Sequence, residues 1–153
     1  MKPAIWCTLL ILLSHSFSRA AVRGDEAMYV GGTLSGIPEK SEGKLDLSDT
    51  NSAKFTWKKT QVLIPYAKIL SLEYGQKAGR RVGAAVAVSP VLLFSKKRKH
   101  YVTIGFTDEQ GKQQGAVFEL SKGTVRSALT TLETRSNKKV EYESKEAKKN
   151  LGN

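Results

Sequence analysis

Apolar and polar residues alternate one for one along much of this chain, and a period of two admits little besides β-strands with one face buried. In "AKFTWKK", residues 53–59, Phe55 and Trp57 fall on one face and Lys54, Thr56 and Lys58 on the other. "HYVTIGFT", residues 100–107, sets Val102, Ile104 and Phe106 against Tyr101, Thr103 and Gly105. The turn "DEQG" (108–111) follows, with Gly111 where a positive φ is expected, and "KQQGAVFEL" (112–120) returns as the partner strand, so the spacing predicts a hairpin. Four further strands are predicted. "MYVGGTL" (28–34) is interrupted by Gly31-Gly32, which predicts a bulge or kink. In "KLDLSD" (44–49), Leu45 and Leu47 alternate with polar neighbours. "QVLIPY" (61–66) is ended by Pro65, and "KILSLEYG" (68–75) sets Ile69, Ser71 and Glu73 against Leu70, Leu72 and Tyr74.

After Leu120 the period changes. Residues 121–137 place Val125, Ala128, Leu129 and Leu132 on one helical face; Ser121 or Thr124 caps the start, and Asn137 stands where such a helix stops. "KKVEY" (138–142) is a short extended piece. Residues 143–153 are charged and poor in apolar side chains, so disorder is expected there and their removal should cost little. The fold class is therefore mainly β with one C-terminal α-helix. About seven strands form a bent antiparallel sheet or partly open barrel, and the helix caps its open end. Phe55, Trp57, Val102, Ile104, Phe106, Val125, Leu129 and Leu132 form the expected core.

The stretch "GKLDLSDTNSAKFTWKKTQVLIPYAKILSLEYG" resembles the strand-strand-"IPY..I..LEYG" pattern of bacterial pleckstrin-homology-like (PH-like) and GRAM-like domains. "HYVTIGFTDEQGKQQGAVFEL" with the helix after it is similar to the second half of that fold. The resemblance covers residues 28–142 and extends to secreted bacterial proteins of this type. It implies a binding domain, without indicating a ligand.

The first twenty residues read as a secretory signal peptide. Lys2 supplies a positive start, "AIWCTLLILL" an apolar core of ten residues, and Ser18 and Ala20 the small residues of a cleavage site. Ten apolar residues fall short of the roughly 20 that a spanning helix needs. Cleavage after Ala20 leaves a polar lead-in (21–27) before the domain and predicts a secreted or periplasmic protein. It removes Cys7, the single cysteine, so disulfides and thiolate chemistry are excluded from the mature chain. It also removes Lys2 and Arg19, taking the net charge from +11 to +9.

Residues 82–95 stand apart. These fourteen residues carry no charge, with Arg80 and Arg81 on one side and Lys96, Lys97, Arg98 and Lys99 on the other. As one helix they would reach about 21 Å, short of the roughly 30 Å of bilayer hydrocarbon. Ser89-Pro90 divides them. Gly79, Gly83 and Ala87 recur every four residues in the small half, a stripe suited to close approach and to self-association; Val91, Leu92, Leu93 and Phe94 form the bulky half. Three readings stay open. The apolar insert folds back onto the core, or it docks on an anionic membrane surface between its basic rims, or it meets a protein partner of the cell envelope or a second copy. In the first, the bulky half is buried and the rims stay exposed. In the second, six cations at about 1 kcal/mol each supply at most about 6 kcal/mol, enough for reversible docking.

Catalysis finds no constellation to carry it. His100 is the single histidine after cleavage and reads as a solvated residue at a strand start. No second histidine or cysteine stands at ligand spacing, so neither a metal site nor a nucleophilic triad is indicated. Asp108-Glu109 is explained by turn chemistry. No cofactor is expected, and no nucleic-acid motif accompanies the positive charge.

Overall fold

The computed structural model describes residues 26–76 and 99–152. Residues 1–25 and 77–98, on which the expected signal peptide and the apolar insert fall, lie outside the described residues.

Among the described residues, eight strands form one sheet: β1 (Glu26–Gly32), β2 (Ser41–Asp46), β3 (Ser52–Trp57), β4 (Thr60–Pro65), β5 (Ile69–Gly75), β6 (His100–Thr107), β7 (Gln113–Leu120) and β8 (Val140–Tyr142). Helix α1 (Lys122–Ser136) precedes β8, and α2 (Lys145–Gly152) follows it. The sheet order is β4-β3-β2-β1-β7-β6-β5-β8. All pairings are antiparallel except β5 with β8, which run parallel. Strands β4 and β5 are joined by a single 3-10 turn, Tyr66–Lys68, yet they are not paired and lie far apart in the ladder. A connection that short requires the sheet to curl, and the result is a half-barrel.

Helix α1 covers the resulting seam, packing on the 3-10 turn and on β5 and β6. Its face is the one expected: Val125, Ala128, Leu129 and Leu132 are buried. Arg135 ties the far end of the helix to the β2–β3 connection by donating to the carbonyls of Leu47 and Asp49, and it lies 3.3 Å from the Tyr66 hydroxyl. Asn137 ends the helix in the left-handed conformation, φ 55°. Ser121 is the N-cap by backbone geometry, although its hydroxyl meets that of Thr124 at 3.0 Å rather than a helix amide.

Inside the curl, Tyr29, Phe55 and Phe118 pack with ring centroids 5.0 to 6.2 Å apart. Val102, Ile104 and Phe106 are buried as the alternation predicts. The break predicted at Gly31-Gly32 falls one step earlier, as a register shift between Tyr29 and Gly31 where β1 meets β7. Gly32 holds φ +138°, and a Cβ there would stand 2.2 Å from the Gly115 carbonyl oxygen.

Four expectations are corrected. Trp57 lies near the end of the β3–β4 hairpin and is half-buried, at the margin of the core. In β5, a bulge between Ile69 and Ser71 breaks the strict alternation, so Ile69, Leu72 and Tyr74 are all buried while Leu70 is 47% exposed. Residues 138–142 contribute an eighth strand, because the outer edge of β5 offers free backbone groups to Val140–Tyr142. Residues 145–152 form a second helix where disorder is expected from composition. Ala147 is 2% exposed, Leu151 packs against the core, and Ser144 accepts from the Ala147 amide at 3.0 Å. Two apolar residues cannot hold a helix by composition alone, but long-range contacts supply the difference.

Candidate functional site

Strand β5 ends at Gly75 and β6 starts at His100, so the insert and its basic rims fall within the connection between them. Gly75 pairs with Tyr101, so residues 76–99 connect neighbouring strand ends at one corner of the sheet. That corner is braced from several sides. The Gln76 amide donates to Glu143 Oε2 at 2.9 Å, and its side-chain carbonyl accepts from Asn150 Nδ2 at 3.1 Å. The Glu143 amide donates to the Tyr74 carbonyl, also at 2.9 Å. On the other side, Lys99 Nζ forms an ion pair with Glu119 at 2.9 Å, which holds the ammonium pKa above its usual value.

Between these ends, the Tyr74 hydroxyl lies 2.6 Å from His100 Nδ1, with the two rings stacked at 6.0 Å. Tyr142 packs edge-on to Tyr74 at the same distance. Burial lowers the His100 pKa, and the positive charge of Lys122 at the start of α1 lowers it further. Burial raises that of Tyr74. A neutral imidazole carrying its proton on Nε2 accepts a hydrogen bond from the phenol at Nδ1. His100 is therefore a half-buried structural partner of Tyr74, where a solvated residue is expected from sequence. Among the described residues, no group of three or more His, Cys, Asp and Glu side chains is placed to hold a metal ion, and no helix is long and apolar enough to cross a membrane.

Of the residues singled out in the sequence, Lys99 is described and paired. Arg80, Arg81, Lys96, Lys97 and Arg98 lie outside the described residues. So do Val91, Leu92, Leu93 and Phe94, and the small residues Gly79, Gly83 and Ala87. The distribution of charge is legible without them. Residues 77–98 hold six of the 25 Lys and Arg and none of the 14 Asp and Glu. Residues 26–76 and 99–152 hold 16 basic and 13 acidic residues. More than half of the net +11 thus belongs to one connection anchored at one corner of the sheet.

Two features of this corner are not anticipated from sequence. One is the Tyr74–His100 pair, whose members are 26 residues apart and brought together by the β5–β6 register. The other is α2, whose signal is Ser144 followed by Ala147 and Leu151 at helical spacing. No protein-family model matches the chain, and no curated protein matches it.

Proposed function

We propose that the chain is a non-enzymatic, secreted or periplasmic binding module of PH-like type that docks on anionic membrane surfaces through its basic-rimmed insert. One observation carries the reading: the connection with six Lys and Arg and no acid leaves and re-enters the sheet at two paired strand ends. Arg80 and Arg81 follow that corner by five or six residues, and Lys96, Lys97 and Arg98 precede it by as few. Both rims are therefore tethered to the same site, which is what contact with one surface requires. With Lys99 engaged by Glu119, five of the bracketing cations remain for lipid phosphates. At about 1 kcal/mol each they contribute at most about 5 kcal/mol, a reversible attachment that salt screens. The strand order, a four-strand and a three-strand meander joined through β1 and β7 with a helix over the seam, supports the PH-like part of the reading.

Sedimentation with anionic vesicles tests it. Binding should weaken when Arg80, Arg81, Lys96, Lys97 and Arg98 are changed to Gln, and should fall as salt rises. Leu92→Asp and Phe94→Asp then report on the bulky half. If it is buried, these variants unfold or fail to accumulate. If it enters the membrane, they keep their melting temperature and lose the vesicles. An unmodified chain that ignores anionic vesicles would end the membrane reading; light scattering of Gly83→Leu would then test for a self-associating surface.

A further inference from the structure

Helix α2 presents a cationic face at the corner where the insert is rooted. At eight residues it is too short to persist alone in water. It is held from one side, with Ala147 buried, Leu151 packed on the core and its carbonyl accepting from Arg126, and Asn150 bonded to Gln76. Those contacts fix which side faces outward. Lys145, Lys148 and Lys149 are all exposed there, spaced so that they share one side of the helix. Lys148 also lies over the Tyr142 ring, 5.4 Å from its centre. Glu146 is the one acidic residue within α2. Because β8 runs parallel to β5, the chain is delivered toward the β5 end, and Gln76 is the residue α2 touches there.

We propose that Lys145, Lys148 and Lys149 form a second contact with an anionic phospholipid bilayer, beside the one assigned to the insert. The inference rests on the membrane reading above and adds to it three residues of a helix packed on the sheet. The charge complementarity is direct: three ammonium groups on one and a half turns face outward from a helix whose apolar side is already occupied. The surface is thus held on two supports, which orients the domain on the bilayer.

The test uses the whole chain with phosphatidylcholine vesicles, with and without phosphatidylserine. Each lysine near an anionic surface is worth about 1 kcal/mol, or about fivefold in affinity. Lys145→Gln/Lys148→Gln/Lys149→Gln should therefore weaken binding to the anionic vesicles at least about tenfold, flatten its salt dependence and leave the melting temperature unchanged. Should loss of the Lys148–Tyr142 contact lower that temperature, Lys145→Gln/Lys149→Gln decides the matter, with a loss of at least about fivefold expected. Affinity within about twofold of the unmodified chain would overturn the inference. If the five-residue variant in the insert still lost binding, the membrane reading would stand without α2. Equal weakening on vesicles lacking phosphatidylserine would also overturn it, since the contact would then not be electrostatic. An unmodified chain that binds neither vesicle would overturn both.

Discussion

The Tyr74 hydroxyl and His100 Nδ1 lie 2.6 Å apart, joining the end of β5 to the first residue of β6 across the root of the insert. Lys122, from the start of α1, adds a positive charge to the surroundings of the imidazole, and Tyr142 of β8 closes over Tyr74. Elements distant in sequence thus meet around one titratable ring.

Stability should therefore depend on pH through His100. Its folded-state pKa is below the ordinary 6.5, first because of burial and then because of Lys122. The unfolded chain then binds the proton more readily, so stability is complete above 6.5 and is lost as pH falls through that value toward the folded-state pKa. The melting temperature should drop over that range, and His100→Gln should flatten the drop. A second limb belongs to Asp46. The Ser48 hydroxyl and amide, followed by Lys54, hold its carboxyl at about 2, so its contribution is present above 3.8 and disappears as pH falls toward 2. An NMR titration giving His100 a midpoint above 6.5 would contradict the first limb.

Two glycines with positive φ should respond very differently to alanine. At Gly32 a Cβ meets the Gly115 carbonyl oxygen, a backbone atom in the β1–β7 ladder that cannot move aside. Gly32→Ala should cost about 3 kcal/mol or more, since backbone strain and the clash add. Gly111, at φ +79°, has nothing within 4 Å of its Cβ position. Gly111→Ala should cost about 1 kcal/mol, from backbone conformation alone. Chemical denaturation of the two variants measures the difference directly.

Helix α1 should contribute to stability as part of the core. Leu129 is 3% exposed on the face that covers the seam, and Leu129→Ala removes three carbons from a packed site. The expected loss is about 2 to 5 kcal/mol. A change under about half a kcal/mol would mean that the helix does not close the half-barrel.

The strands could be read from the sequence because each buried face repeats locally. Val102, Ile104 and Phe106 declare their side of β6 without reference to anything else. The bulge at Ile69–Ser71 could not, since it depends on how β5 meets β6 and shows in the sequence only as an apolar Leu70 on the wrong side. Helix α2 was hidden for the same reason: Glu143, Asn150 and Leu151 are stabilised by Gln76 and Arg126, more than twenty residues away. For the candidate site, the cations were legible as residue types. Their common root was not, because it follows from Gly75 pairing with Tyr101 across the whole insert. Lys99 looked equivalent to its three basic neighbours until Glu119, opposite Tyr101 on β7, came within reach.

Removing residues 143–153 should therefore destabilise the protein, against the expectation from composition. The deletion exposes surface covered by Ala147 and Leu151 and frees the Gln76 amide from Glu143. It also takes away the Glu143 amide that donates to the Tyr74 carbonyl. Burial of small apolar area and a few hydrogen bonds at about 1 kcal/mol each favour the docked helix. The conformational entropy of eight ordered residues opposes them, so the net cost should be only about 1 to 3 kcal/mol. Ala147→Asp, which puts a carboxylate against the core, should reproduce most of that loss in the full-length chain. Hydrogen exchange at the Gln76 amide gives an independent readout: protection should be present in the intact chain and absent in both variants. Equal protection in all three, with stability unchanged, would show that α2 does not brace this corner of the sheet.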